Sequence, residues 1–267
     1  MVGDHRSRRR RTAALAAIAA LCALGGTARA CGGADLGEAR VVAIPHPNTL
    51  TLDDGRTIRL AGLAWRKDPS GEIRTALATA TRNRTVALKG TAAPDRYGRQ
   101  HALVFVGGAQ TPVQYELLER GLAVANLHAG GKSIDDRTCA QAMLMREQRA
   151  REAGRGIWSR DPVMSAERPA DILKAHGQFS VVQGRVISVR DFGNTTYVNF
   201  GRRWSEDFTV TIAKRQHSAF ISGGLTPQSL SGRVVRVRGT IEERAGPWIE
   251  ATAPAQFEFV TAGAASR

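Results

Sequence analysis

The sequence is poor in cysteine, in lysine and in long apolar runs, and each shortage narrows what the protein can be. Three cysteines without histidine clusters argue against structural zinc sites, which need four Cys or His ligands at close spacing. After residue 24 no apolar run approaches the ~20 residues that a membrane-spanning helix needs. We therefore expect no transmembrane segment and no zinc, and a water-soluble mature chain.

The first 30 residues have the composition of a secretory signal peptide. A basic start over residues 6–11 precedes an apolar run over residues 13–24, and residues 28–30 read as an A-x-A cleavage site. We expect export to the bacterial periplasm or the medium, with cleavage after Ala30. The general secretory and twin-arginine routes both stay open, and acylation of Cys31 is an alternative fate of the new N-terminus.

The positive charge of the chain is carried almost entirely by arginine. Removing residues 1–30 takes away six arginines and one aspartate, so the formal net charge falls from +14 to +9, and only five lysines occur in the whole chain. Guanidinium groups suit bidentate phosphate recognition and stacking on bases. The composition favours nucleic acid or another polyanion as partner, although a genomic bias towards arginine would produce the same composition.

Two cysteines remain after cleavage, Cys31 and Cys139. An even pair in an oxidising compartment suggests one disulfide. Closing a loop of about 100 residues would stabilise the fold by on the order of 4 kcal/mol in the chain-entropy model. A buried free thiol at Cys139 beside a frayed Cys31 is the alternative.

Residues 40–67 are predicted to form three consecutive strands of a small closed sheet. Apolar residues recur at every second position, the period of half-buried strands. They are Val42, Ile44, Leu50, Leu52, Ile58 and Leu60. Residues 53–56, with the sequence Asp-Asp-Gly-Arg, supply a turn, and further strands are predicted over residues 85–89 and 101–106. Helices are predicted to begin after Asp68, after Thr111, and at Asp135 or Asp136.

This framework resembles the staphylococcal nuclease (thermonuclease) family. Residues 40–67 follow that family's first three barrel strands. Residues 95–99, Asp-Arg-Tyr-Gly-Arg, are similar to the loop that carries its second phosphate-binding arginine. The resemblance covers about Arg40 to Trp158 and implies one five-stranded OB-type barrel with helices.

The family's catalytic carboxylates are missing here. The resemblance implies a site in which two aspartates and a backbone carbonyl hold calcium, a glutamate activates water and two arginines neutralise the phosphate. The arginines are retained as Arg59 and Arg99, but the carboxylate positions fall on Asn48, Ala64 and Lys67. Calcium needs hard, mostly anionic oxygen ligands, and these replacements change the local formal charge from about −3 to about +1. We expect a degenerate catalytic site with no metal and no cofactor.

An anion site is expected to survive in its place. Arg59, Lys67 and Arg99 would converge without a balancing carboxylate and would need an anionic ligand or solvent exposure. Tyr97 falls on the family's tyrosine at the nucleotide pocket. A phosphate group is the simplest counter-ion, since its oxygens match the guanidinium forks.

A second β domain is predicted after a linker that includes a short helix, so the fold class is mainly β with helices. The expected order is signal peptide 1–30, N-terminal segment 31–39, thermonuclease-like domain 40–159, linker 160–178 and OB-like β-barrel 179–261. Five strands with one helical insertion near residues 215–222 favour a second, smaller barrel. It resembles the C-terminal module of some exported bacterial thermonuclease-like proteins.

The second domain also suggests a binding face. Arg236 and Arg238 alternate with Val235 and Val237, so one sheet face is cationic and the other apolar. Aromatic residues are spread through the same domain at Tyr197, Phe200, Trp204, Phe208 and Trp248. Arginines interleaved with aromatics are typical of single-strand binders, and we predict that Arg236 and Arg238 bind nucleic acid. A solvated strand face over an aromatic core is the alternative.

Three functions are compatible with these features. Our prediction is an exported thermonuclease-fold protein that has lost the calcium-dependent reaction and binds nucleic acid or another polyanion. The first alternative is a phosphodiesterase using non-standard groups, with His46 as base because it lies two residues before Asn48. The second is an envelope protein–protein adaptor. The ligand and the oligomeric state stay open.

Overall fold

The structure is a computed structural model that describes residues 33–65, 71–127, 137–160, 163–203 and 205–260. These residues belong to one unit, Cys31–Arg267. The predicted signal peptide, Cys31, Lys67 and Trp204 lie outside the described residues. Within the described part of the chain, no helix is long and apolar enough to cross a membrane.

The first half of the described chain forms a closed barrel. Its strands are Ala34–His46 (β1), Thr49–Leu52 (β2), Thr57–Leu60 (β3), Thr85–Gly90 (β5) and Arg99–Val106 (β6). They close in the order β1-β2-β3-β6-β5, and β3 and β6 run parallel while their neighbours are antiparallel. Leu50, Leu52, Ile58 and Leu60 are at most 2% exposed and Ile44 is 8% exposed, so these alternating apolar residues do fill the barrel core. The prediction is wrong for Val42, which is 45% exposed, because the register of β1 shifts between Val41 and Ala43 and Val41 is buried instead. The predicted five-stranded barrel is confirmed.

The described residues of this half also form four helices. They are Glu72–Thr81 (α1), Val113–Glu119 (α2), Arg137–Glu152 (α3) and Ile157–Arg160 (α4). Two short strands, Leu63–Ala64 (β4) and Val124–Ala125 (β7), pair with each other outside the barrel. The first barrel strand begins at Ala34, so residues 34–39, expected to be an N-terminal segment, pair with β5.

The second half is a β module of two sheets around its own core. Its strands are Met164–Ser165 (β8), Phe179–Arg185 (β9), Ser188–Phe192 (β10), Thr195–Asn199 (β11), Thr209–Ala213 (β12), Val234–Thr240 (β13), Glu242–Arg244 (β14), Gly246–Ala251 (β15) and Phe257–Phe259 (β16). One sheet has the order β10-β11-β12-β15-β14 and the other β16-β13-β9-β8. The helices are Pro169–Leu173 (α5) and His217–Ser222 (α6), the latter at the predicted insertion. Residues 160–178 contain the short helix expected within the linker, as α5, and also the strand β8, which pairs with β9 of the second module.

A shared apolar cluster joins the barrel to the second module. Ala64, Val124 and Trp158 from the first half pack with Phe179 and Val181 from β9, and all five are less than 9% exposed. Burial of apolar side chains on both sides stabilises this seam by removing their surface from water. The two modules therefore share part of one core.

The predicted disulfide involves one described residue. Cys139 lies on α3 and is fully buried in the barrel core, whereas Cys31 lies outside the described residues, so the bond stays a prediction. We expect both cysteines of the exported protein to resist alkylation until a reductant is added, because a disulfide has no thiolate to react. Mass spectrometry that finds both residues alkylated in the unfolded, unreduced protein would contradict the bond.

Candidate anion-binding site

Parallel pairing of β3 with β6 brings the two predicted arginines onto adjacent strands. Thr57 pairs with Arg99, and Arg59 pairs with His101. Ile58 and Leu60 point into the core, so Thr57 and Arg59 point to the outside of the barrel. Neighbouring strands lie about 4.8 Å apart, which places the two arginines within reach of one phosphate group.

The electrostatics of Arg59 reflect this proximity. The pKa of its guanidinium is lowered, first by partial burial and then by the positive charge of Arg99, while the negative charge of Asp95 acts in the opposite direction. Burial and a like charge both disfavour the protonated form. An anion between the two guanidiniums would relieve both effects.

Asp95 organises the loop that carries Arg99. Its Oδ1 accepts the backbone N–H groups of Tyr97 (2.9 Å) and Arg99 (3.0 Å), and its Oδ2 accepts Nε (3.0 Å) and an Nη group (2.8 Å) of the Arg99 side chain. The hydrogen bond from the Arg99 side chain, with smaller contributions from these amides and His101, holds the pKa of Asp95 far below its usual range although burial opposes it. The carboxylate therefore stays ionised at neutral pH and fixes the direction of Arg99.

The expectation that no carboxylate balances the arginines is wrong. Asp95 lies in the motif itself and forms an ion pair with Arg99, each side chain being about one-fifth exposed. Two guanidiniums nevertheless face one carboxylate, so Arg59, Arg99 and Asp95 together keep a net positive charge. The site retains an attraction for anions.

Tyr97 stands out from the same loop. Its side chain is 64% exposed, and the guanidinium carbons of Arg96 and Arg99 lie 4.9 and 4.8 Å from its ring centroid. Contacts of this kind are cation–π interactions. They hold an exposed aromatic ring beside the arginines, where a nucleic-acid base can stack on it.

The residues at the family's calcium positions do not fit a calcium ion. The amide oxygen of Asn48 already accepts the hydroxyl of Thr49 at 2.9 Å. Ala64 has no ligand atom in its side chain, and it is buried among apolar residues at the seam with β9. Calcium takes six to eight oxygen ligands, mostly carboxylates and carbonyls. Lys67, the third position, lies outside the described residues.

The barrel also places His46, the base of the phosphodiesterase alternative. His46 is exposed at the end of β1; it pairs with Thr49, which pairs with Arg59, so His46 lies two strands from Arg59. On the other side of Arg59, directly in register, is His101. The histidine beside the arginines is therefore His101, which sequence reasoning missed.

Arg236 and Arg238 do not form a binding face, and that prediction is wrong. The Arg238 side chain is fully buried and the Arg236 side chain is 14% exposed. Arg238 donates to Glu147 Oε2 of α3 (2.9 Å), to the carbonyl of Ala125 (3.0 Å) and to Glu258 Oε2 of β16 (3.1 Å). The cationic face of β13 is covered by the first module.

The hydrogen-bond network around Arg238 includes two further arginines. Arg151 on α3 pairs with Glu147 (2.5 Å) and Glu258 (3.1 Å), and Arg236 pairs with Glu258 (2.6 Å). Burial raises the pKa of Glu258, but the charges of Arg151, Arg238 and Arg236 outweigh burial and lower that pKa overall. Three arginines and two glutamates thus connect the modules with charge-assisted hydrogen bonds, and are not available to a ligand.

The aromatic residues that were predicted to share the binding face of the second module divide between its core and its surface. Phe200 and Phe208 pack together in the core of the second module, their ring centroids 4.9 Å apart. Tyr197 and Trp248 are half-buried, on the outward side of the five-stranded sheet. The alternative of an aromatic core therefore applies to the two phenylalanines.

Sequence signals for the missed residues existed but were weak. His101 follows Arg99 by two residues on a strand, so its side chain shares a face with Arg99. Glu147 and Arg151 are four apart on a helix, a spacing typical of an ion pair. Neither signal says that the second module lies against that helix.

Comparison with known proteins agrees with this geometry. Residues 61–160 match the family model described as staphylococcal nuclease homologue. The matched range includes Arg99 and begins after β3, so Arg59 lies just outside it although β3 belongs to the barrel. No curated protein matches the chain. With the closed barrel and the Asp-Arg-Tyr-Gly-Arg loop, this match shows that the chain carries a domain of the staphylococcal nuclease-like family.

Proposed function

We propose that this is an exported protein that binds nucleic acid, or another phosphate-bearing polyanion, without calcium-dependent hydrolysis. The observation that carries the proposal is the placement of Arg59 and Arg99 on adjacent parallel strands, with Tyr97 exposed beside them. Guanidinium groups bind phosphate oxygens in pairs, and an exposed ring can stack on a base. Together they match a single strand better than a duplex, whose bases are already stacked.

Loss of hydrolysis rests on the chemistry of the side chains at the family's ligand positions. Asn48 is engaged by Thr49 and Ala64 offers no oxygen, so a divalent cation lacks its anionic ligands there. Plasmid DNA incubated with calcium, with magnesium or with a chelator should remain intact in all three. Cleavage that requires a metal would instead support the phosphodiesterase alternative.

Replacing Arg59 and Arg99 together by alanine should weaken binding of a fluorescent single-stranded 12-nucleotide probe by about 30-fold or more. Each hydrogen bond to a charged group contributes about 1.5–3 kcal/mol, and about 1.4 kcal/mol corresponds to tenfold in affinity. Fluorescence anisotropy at several salt concentrations measures both affinity and its salt dependence. Since the two arginines are within reach of one phosphate group, and single strands lose about 0.7 in log–log slope per neutralised phosphate, the slope should fall by about 0.7.

A matched control removes the same charge elsewhere. Arg82 follows α1 and Arg190 lies on β10; both side chains are exposed and neither belongs to the site. The variant Arg82→Ala/Arg190→Ala should bind within about threefold of the wild type, because exposed charges far from the probe are screened by salt. Equal losses in the two double variants would show that binding follows net charge and not this site. Absence of binding by the wild type at low salt would leave the adaptor alternative.

A further inference from the structure

His101 belongs to the same charged cluster as Arg59, Arg99 and Asp95. Its Nε2 lies 3.3 Å from Asp95 Oδ2, the oxygen that also accepts the Arg99 side chain. Its backbone pairs in register with Arg59. Its side chain is about one-fifth exposed, so solvent protons can reach the cluster.

The charge of this cluster depends on the protonation of His101. With His101 neutral, two guanidiniums and one carboxylate give a net charge of +1, and protonation raises it to +2. Histidine is the side chain that ordinarily changes charge between pH 5 and 8. Protonation of His101 would therefore double the net charge of the cluster.

We propose that His101 is a third cationic group of the anion site and makes polyanion binding stronger as the pH falls from 8 to 5.5. The inference rests on the proposed function and adds a proton-dependent element to it. A protonated imidazole beside Arg59 attracts a phosphate through space, and the phosphate in turn favours the protonated form, so proton and ligand bind cooperatively. Mildly acidic surroundings would then favour retention of the polyanion.

The other charged groups around His101 do not titrate in this range. Arg59 on β3 and Arg96 and Arg99 beside the loop keep their charge because arginine is always protonated near neutrality. Asp95 stays ionised, since its pKa is held far below the usual value by Arg99. The other strand that pairs with β6 is β5. Its charged residue Lys89 pairs with Leu103, two positions after His101, and Gly90 pairs with Ala102. Backbone pairing places His46, Thr49, Arg59 and His101 in one row across four strands. Among the described residues, His46 is the other histidine of this row, and it lies two strands from Arg59.

The test measures affinity for a single-stranded dT12 probe at pH 5.5, 6.5, 7.5 and 8.0 and constant ionic strength, using the full chain. The wild type should bind about fivefold or more tightly at pH 5.5 than at pH 8.0, the size expected for one added charge about 4 Å from a phosphate even at the dielectric constant of water. His101→Gln, which cannot be protonated, should bind with the pH 8.0 affinity throughout. His101→Lys should bind tightly at every pH, which a purely structural role of His101 would not predict.

His46→Gln serves as the control, because it removes an exposed histidine of the same row and should keep the pH dependence. A pH-independent wild type, or a His101→Gln variant with the wild-type slope, would overturn the inference while leaving phosphate binding at the arginines in place. Loss of the pH dependence in His46→Gln would also overturn it, by assigning the proton to His46. No binding at any pH would reject the proposed function itself, and this inference with it.

Discussion

Replacing Arg238 by alanine is expected to lower the free energy of unfolding by about 3–5 kcal/mol, the cost of breaking a buried ion pair by removing one partner. Glu147 is fully buried, and the substitution would remove one of its two arginine partners. The carbonyl of Ala125 would lose its donor at the same time. Urea unfolding followed by circular dichroism measures the change.

Two controls separate burial from charge. The double variant Glu147→Leu/Arg238→Met removes both charges, and apolar replacement of a buried pair is often close to neutral. Because it also removes Glu147 from the N–H of Ala125 and from Arg151, it should recover only part of the loss. Lys174→Ala breaks the exposed pair of Lys174 with Asp171 and should cost at most about 0.5 kcal/mol. A loss below about 1 kcal/mol in Arg238→Ala would mean that the seam is hydrated and the pair is not buried in solution.

Substituting Gly121 by alanine is expected to cost about 3 kcal/mol. Gly121 has φ of +68°, and a Cβ there would lie 2.2 Å from the carbonyl oxygen of Arg155. Its carbonyl also accepts the N–H of Ile157 at 2.9 Å, so the chain after α3 is bound directly to the backbone at the end of α2. A left-handed conformation costs an L-residue about 1–2 kcal/mol, and overpacking adds about 1–3 kcal/mol. The midpoint of urea unfolding reports the sum.

Gly154 provides the matched comparison for that substitution. Its φ is +58°, almost the same backbone conformation, but a Cβ there would have no atom within 4 Å. Gly154→Ala should therefore cost only the conformational part, about 1 kcal/mol. Similar losses at Gly121 and Gly154 would show that the backbone around Arg155 moves aside and that close packing is not what requires glycine.

Local sequence patterns were sufficient to predict most strands of the barrel but not how they pair. The every-second-residue spacing of Leu50, Leu52, Ile58 and Leu60 is a property of single strands, and these residues do fill the core. The placement of Arg59 beside Arg99 depends on pairing between strands that are about 40 residues apart. Periodicity cannot reveal such a pairing, and the resemblance supplied it.

Features that depend on how the two modules pack could not be predicted. The alternation of Arg236 and Arg238 with valines correctly separates two faces of β13, but it does not say whether water or α3 covers the polar one. The structure has α3 there, with Glu147 and Arg151 as partners. For the same reason, residues 179–260 expressed alone would have a buried Arg238 without Glu147 and β9 without its neighbour β8.

The peptide group of Ala125 is bonded on both sides by the buried network. Its N–H donates to Glu147 Oε2 at 2.6 Å, and its carbonyl accepts from Arg238. A solvent deuteron can replace that amide proton only after the carboxylate has been displaced, which requires Arg238 and β13 to withdraw from α3. The exchange rate of this single amide therefore reports how often the two halves of the protein come apart, and a partner that holds them together would slow it without touching Ala125.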